Sequence, residues 1–222
     1  LRADTDALPM TEDTDLEFRS TIDGRAHACG HDAHTAMLVG AARVLAARRN
    51  ELQGRVRFMF QPGEEGFAGA RLMIDEGVLD NVDRAFALHV SPNQRVGTAS
   101  CRPGPLLAGD TSITVTVRGH GGHASTPHLA TDPIPATAAI ITALQTTVTR
   151  EVDVFDPAVL TIAHVVAGTT SNVIPETALF EGTIRCISER TRTHIREAVA
   201  RTIRGVAEAH GCTVDIEMVD GY

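Results

Sequence analysis

Three imidazoles, a thiol and a carboxylate lie within the sequence HACGHDAH that begins at His27. Such side chains bind transition metals or activate water. Cys29 and His31 are two residues apart, so both can face one ion around a turn at Gly30. A thiolate and an imidazole suit zinc and its neighbours. The alternative is a buried cysteine beside a helix capped by Asp32.

Two adjacent carboxylates, Glu64 and Glu65, follow a predicted strand and a Pro-Gly bend in the sequence QPGEEG. Burying both is costly unless a cation offsets their repulsion. A metal ion would let one carboxylate ligate while the other takes a proton from water. An ordinary solvated acidic turn is the alternative. His89 ends a predicted strand of the same sheet, although a lone histidine there is more typical of a packed core.

A glycine-rich turn, GHGGHASTPH, carries three histidines in the second half of the chain, among them His123. Glycines let a backbone approach a ligand closely. An imidazole in such a turn can donate to a developing oxyanion; a loose hairpin bend is the alternative. Asn172 and Arg185, on neighbouring predicted strands, are candidates to hold a carboxylate, Arg185 in bidentate fashion.

Predicted strands and helices alternate in the part of the chain that carries HACGHDAH, QPGEEG and His89. Apolar spacing predicts strands over 1–3, 55–60 and 84–90, the last of them buried, and helices over 33–49 and 68–76. This alternation indicates an α/β layer with a mostly parallel sheet. Ligands bind such sheets beyond the carboxyl ends of the strands. The HACGHDAH motif, the QPGEEG motif and His89 all lie at such ends.

The pattern changes near residue 108. Strands are predicted over 111–117, 158–166, 178–187 and 212–219, with helices over 133–149 and 189–210. The order β-α-β-β-α-β is typical of a ferredoxin-like fold. We therefore predict one domain over 1–107 and a second over 108–222.

Composition narrows the class of ligand. The 222 residues include 20 basic and 28 acidic ones, a net charge of −8, without a basic cluster of the nucleic-acid-binding kind. No apolar run approaches the roughly 18 residues of a membrane span. The 4 cysteines are widely separated and form no C-x-x-C pair, which favours a reducing, cytoplasmic setting. We expect a small-molecule substrate, not nucleic acid or a membrane.

Five motifs in order, LRADTDALP, HACGHDAH, FQPGEEG, GGHA and SNVIP, resemble those of a known family. They are similar to the metal-dependent amidohydrolases that include hippurate hydrolase, the auxin-conjugate (indole-acetyl-amino-acid) hydrolases and related N-acyl-amino-acid hydrolases. Aminoacylase and the glutamate carboxypeptidases are relatives of this group. The resemblance covers essentially the whole chain. It implies a zinc-peptidase-like catalytic domain over 1–107, incomplete here, and a ferredoxin-like lid over 108–222 that also forms a homodimer.

The resemblance also implies a reaction and a cofactor. The family hydrolyses the amide bond between an acyl group and an amino acid, with two divalent metal ions per subunit. Zinc, manganese, cobalt and nickel all suit the ligand types. By motif match, Cys29 bridges the metals, and His31, Glu65 and His89 are terminal ligands. His27, Asp32 and His34 are expected in supporting positions.

The remaining roles follow from the same motif match. Glu64 is the general base, and Asp6 orients the metal ligands. Asp4 lies where distant relatives carry a ligating histidine. His123 reaches the partner's site and polarises the scissile carbonyl. The residues that match holders of the substrate carboxylate are Asn172 and Arg185.

Members of the family also carry a segment before the first strand and a return to the catalytic domain after the lid. That return holds the last metal-ligand histidine, and no remaining histidine of this chain is equivalent to it. We therefore expect the sequence to be part of a longer protein. Alternative functions are a metallo-dipeptidase or N-acetyl-diaminopimelate deacetylase on the same scaffold, or a non-catalytic dimeric binding protein.

Overall fold

The computed structural model describes residues 1–221, which separate into two compact units, one over Leu1–Ala99 and one that begins at Ser100. The second domain predicted from sequence ends at Tyr222, which lies outside the described residues. Within the described part of the chain, no helix is both long enough and apolar enough to cross a bilayer.

Two short parallel strands form the centre of the first unit. Strand β1 (Arg2–Asp4) pairs with β2 (Met59–Gln61), with Asp4 opposite Gln61. Helix α1 (His31–Ala47) follows β1, and helix α2 (Gly69–Asp75) follows β2. Strands and helices therefore alternate in the first unit, as predicted for an α/β layer. The loops after Asp4 and after Gln61 therefore begin at the same edge of the sheet.

Helix α1 begins at His31 because Gly30 turns the chain. Gly30 has a φ of 84°, in the left-handed region that favours glycine, and a Cβ there would lie 2.4 Å from the Cγ2 atom of Val90. No side chain caps the helix at Gly30. Asp32 is therefore not the cap considered above; it lies in the first turn, where its charge complements the helix dipole.

The predicted buried strand over 84–90 is wrong. Ala87 alone forms a parallel bridge, to Arg2, and residues 84–90 are all exposed. Phe86 is 64% exposed and Leu88 46%. A parallel strand is buried only when elements cover both its faces, and among the described residues only one edge of this segment is paired.

The second unit is a four-stranded antiparallel sheet with two helices. Its long elements are β3 (Gly109–Arg118), α3 (Pro133–Glu151), β5 (Ala158–Ala167), β7 (Thr177–Cys186), α4 (Glu189–Ala209) and β8 (Thr213–Asp220). Two short strands, β4 (Gly122–His123) and β6 (Val173–Ile174), pair with each other apart from the main sheet. The spatial order of the large sheet is β5-β7-β3-β8.

Local sequence explains these elements well. Strand β3 alternates, with Ile113, Val115 and Val117 buried toward the helices and polar residues between them. Helix α3 starts after Asp132, whose carboxylate accepts a hydrogen bond from the Ile134 N–H. Helix α4 starts after Ser188, which caps the Thr191 N–H.

Candidate metal centre

His31 is fully buried, and its two ring nitrogens have different surroundings. The Nδ1 atom lies 3.0 Å from the Asp6 carbonyl oxygen and 3.2 Å from the Asp6 Oδ1 atom. Both are acceptors, so Nδ1 carries the proton of the neutral ring and Nε2 carries a lone pair. Nε2 is buried and has no hydrogen-bond partner among the described residues.

Carboxylates surround this unpartnered nitrogen. His31 Nε2 lies 3.7 Å from Asp4 Oδ2, 3.8 Å from Glu65 Oε1 and 4.0 Å from Glu64 Oε2. A lone pair cannot donate to these oxygens, and like partial charges facing one another in a buried site are costly. A cation among them would satisfy the nitrogen and the carboxylates together, so this part of the chain fits a divalent metal.

A thiol and a second imidazole complete the donor set. The Cys29 Sγ atom lies 3.5 Å from His89 Nε2, and one ligand atom from each of Cys29, His31 and His89 falls within 4.8 Å of the others. His89 Nδ1 donates to the Val90 carbonyl at 2.6 Å, so His89 Nε2 also carries a lone pair. Sulfur, nitrogen and carboxylate donors together are those of a zinc-type site.

The acidic groups shift one another's pKa values in the metal-free protein. Burial, followed by the hydrogen bond and charge of Glu65, raises the pKa of the Cys29 thiol to about 11. Burial and the charges of Glu65 and Asp4 also raise the pKa of Glu64. A carboxylate with a raised pKa beside a metal site is suited to accept and return a proton.

Asp6 holds two of the candidate ligands in place. Its Oδ2 atom accepts the Glu65 N–H at 2.9 Å, while its carbonyl and Oδ1 atoms face His31. Burial works to raise the pKa of Asp6, but the backbone N–H groups of Glu65 and Glu64 outweigh it, so that pKa is lowered. An ionised carboxylate that fixes the tautomer of a ligating histidine is a frequent companion of metal sites.

Asp4 and His34, for which the sequence predicted no specific contact, are buried beside His31. His34 Nδ1 lies 2.6 Å from Asp4 Oδ1, and Asp4 Oδ2 accepts a hydrogen bond from Arg2 at 2.6 Å. One signal was available in the sequence: His34 is three residues after His31 on α1, and residues at that spacing share a helix face.

The other three predicted site residues lie in the second unit. His123 Nδ1 accepts hydrogen bonds from the hydroxyl and the N–H of Ser125, so its Nε2–H is the exposed donor. The backbone carbonyl oxygen of Asn172 accepts a hydrogen bond from the Ala124 N–H at 3.0 Å, which places Asn172 beside His123. Arg185 lies near the other end of β7, where its guanidinium is 3.6 Å from Asp110.

Comparisons with known proteins show the family of the chain. The model of peptidase family M20/M25/M40 matches residues 1–211. The chain belongs to this family. It is 44% identical to an N-acetylcysteine deacetylase of Bacillus subtilis over 98% of its own length and 57% of that protein. It is 41% identical to IAA-amino acid hydrolase ILR1-like 4 of Arabidopsis thaliana, over 99% of the chain and 50% of that protein.

A solved M20-family structure resembles the fold of the whole chain. The crystal structure of a dinuclear metal-binding peptidase from Bacillus subtilis matches with a TM-score of 0.79 and 40% identity, over 99% of this chain and 56% of that one. The chain therefore spans about half the length of the M20 relatives it matches. Dinuclear metal binding by this relative agrees with the donor set around His31.

Proposed function

We propose that this chain carries the metal ligands and general base of an amidohydrolase that cleaves the amide bond of N-acyl amino acids. The observation that supports it most is the buried, unpartnered Nε2 atom of His31 facing two adjacent glutamates. The two named relatives, a deacetylase of N-acetylcysteine and a hydrolase of indole-acetyl-amino acids, act on substrates of this class.

Cys29, His31, Glu65 and His89 are the residues that would hold two divalent ions. When bound, divalent metals lower the pKa of water and polarise a carbonyl oxygen. The thiolate favours zinc, whereas the imidazole and carboxylate donors also accept manganese, cobalt or nickel.

Glu64 is the proposed general base. Its carboxylate takes a proton from the water whose oxygen attacks the acyl carbon. The C–N bond then breaks, and Glu64 returns the proton to the amine nitrogen of the departing amino acid. The position of Glu64 supports this role, because its Oε2 atom lies 4.0 Å from His31 Nε2, beside the proposed metal ligands.

The second unit is the proposed lid and dimerisation domain, ferredoxin-like over 108–222. Arg185 lies eight residues along β7 from Thr177, about 26 Å at the usual rise of a strand, while His123 and Asn172 lie beyond the Thr177 end. One chain alone therefore does not offer Asn172 and Arg185 to the same carboxylate. We propose that His123 and Asn172 act together in the site of a second copy, with Arg185 as a separate candidate to hold a substrate carboxylate.

Replacing Glu64 with glutamine tests the proposed reaction. We expect Glu64→Gln to abolish hydrolysis of hippurate, N-acetyl amino acids and indole-acetyl-amino acids while metal content is unchanged. The matched control is Glu51→Gln, an exposed glutamate paired with Arg48, which should retain activity. A chelator should abolish turnover in both the parent and the control. Undiminished activity in metal-free protein would contradict the proposal.

A peptidase is the second candidate, because the structural relative with the dinuclear metal site is described as a peptidase. Adding dipeptides and N-acetyl-diaminopimelate to the same substrate panel separates these activities. Bound metal below two ions per chain, together with no turnover of any substrate, would favour a dimeric binding protein instead.

The four cysteines, all within the described residues, are free thiols, which supports the proposed cytoplasmic setting.

A further inference from the structure

His34 is buried in the first turn of α1, and both of its ring nitrogens are engaged. The Val90 N–H donates to Nε2 at 2.9 Å, so this nitrogen carries no proton. The proton of the neutral ring is therefore on Nδ1, which donates to Asp4 Oδ1 at 2.6 Å. One tautomer of His34 satisfies both contacts.

Asp4 is a fixed anchor for this ring. It is fully buried, and its second oxygen accepts a hydrogen bond from Arg2. Burial acts to raise the pKa of Asp4, but the His34 hydrogen bond and the charge of Arg2 outweigh it, so the group stays an ionised acceptor. An acceptor on one side and an N–H donor on the other leave His34 a single orientation.

These contacts exclude His34 as a metal ligand. One potential ligand atom from each of Asp4, His31 and His34 falls within 4.8 Å of the others, which by itself is the arrangement of a metal cluster. A ligating imidazole needs a free lone pair, and the lone pair of His34 accepts the Val90 N–H. His34 therefore acts on the metal centre through another residue.

That residue is Val90, which adjoins the candidate ligand His89. The Val90 carbonyl accepts a hydrogen bond from His89 Nδ1, and the Val90 side chain packs so closely on Gly30 that a Cβ there would lie 2.4 Å from it. Gly30 separates Cys29 from His31. The His34 and His89 rings also meet edge to face, with centroids 4.6 Å apart.

We propose that His34 is a positioning residue, which joins the buried Asp4 carboxylate to the Val90 amide and thereby holds His89 opposite Cys29. The segment that carries His89 is irregular and exposed, so sheet pairing along its length cannot hold it. The inference rests on the proposed metal site but not on amide hydrolysis.

Three variants test this role by zinc affinity, measured by competition with a chromophoric chelator. His34→Leu removes both hydrogen bonds and replaces the buried ring with an apolar side chain. We expect it to bind zinc about 10- to 100-fold more weakly than the parent. His34→Gln has an amide donor and a carbonyl acceptor, so it should recover most of the affinity. His210→Leu is the matched control, because His210 is an exposed histidine at the end of α4 and has no assigned role in the metal site. Equal zinc affinity of the His34→Leu and His210→Leu proteins would overturn the proposal.

Hydrogen exchange of the metal-free protein provides a second, metal-independent measurement. The Val90 amide should exchange slowly in the parent and in His210→Leu and rapidly in His34→Leu. Fast exchange at Val90 in the parent would also overturn the proposal, and this outcome is measurable even where His34→Leu does not fold. Absence of zinc binding by the parent would instead count against the proposed metal site, while Val90 exchange still decides the role of His34.

Discussion

Replacing Glu65 with glutamine probes the electrostatics of the metal centre through the reactivity of Cys29. Burial and then Glu65, through a hydrogen bond and its charge, hold the pKa of the Cys29 thiol at about 11 in place of 9.0. Glutamine keeps the size of the side chain and removes the charge. The backbone N–H of residue 65 still donates to Asp6, so the turn itself is retained. We therefore expect the pKa of Cys29 to fall in the Glu65→Gln protein.

The size of the effect follows from the fraction of thiolate. A pKa of about 11 in place of 9.0 makes the thiolate about 100-fold rarer at neutral pH. A thiolate of lower pKa is also a weaker nucleophile, which cancels roughly 10-fold of any gain. Full return to the ordinary value would thus speed alkylation about 10-fold. Because burial, the largest cause of the shift, remains together with the charge of Glu64, we expect a smaller increase of about 2- to 3-fold.

The assay is alkylation of metal-free protein by iodoacetamide, followed by peptide mass spectrometry that resolves Cys29 from the other cysteines. Exposed Cys101 is the internal reference, and Glu51→Gln, which removes a distant exposed carboxylate, is the control variant. The pH-rate profile of Cys29 should have its midpoint below that of the parent. A Cys29 rate unchanged by Glu65→Gln, or a midpoint that moves upward, would refute the electrostatic reasoning.

Four further predictions concern the metal ligands and the second unit. Asp6→Asn should weaken zinc affinity about 10- to 100-fold, because an amide no longer fixes His31 as a carboxylate does; calorimetry showing parental affinity would contradict this. Phe180→Ala should lower the free energy of unfolding by about 3–5 kcal/mol, since Phe180 is fully buried; a loss in urea titrations below about 1 kcal/mol would contradict it. Gly205→Ala should add about 0.5–1 kcal/mol and raise Tm, because a Cβ meets no atom within 4 Å inside α4. Gly182→Ala, with a Cβ 2.1 Å from the Thr161 carbonyl oxygen, should lower Tm in the same measurement.

Local sequence predicted the second unit closely. Helices were expected over 133–149 and 189–210, and the structure has Pro133–Glu151 and Glu189–Ala209. Both begin at capping residues, and both carry apolar residues at helical spacing, signals that need no distant partner. Strand β3 was expected over 111–117 and extends over Gly109–Arg118, because alternation marks its buried face.

The first unit depended more on tertiary contacts. The apolar run over 84–90 has the composition of a buried strand, yet burial requires neighbours that the described residues do not supply. Strand β2 was expected over 55–60 and is confined to Met59–Gln61, where β1 provides a partner. Strand length here follows the length of the neighbour with which it pairs.

The sequence by itself determined which donor types are present near the centre: a thiol, imidazoles and adjacent carboxylates at motif spacing. Only the tertiary structure decided which nitrogen is free to bind a metal. His31 and His34 are the same residue type, three positions apart on one helix. Asp6 engages Nδ1 of His31 and leaves Nε2 open, whereas Asp4 and Val90 occupy both nitrogens of His34. These partners lie 25 to 56 positions away along the chain, and an imidazole's lone pair is assigned by whatever bonds the opposite nitrogen.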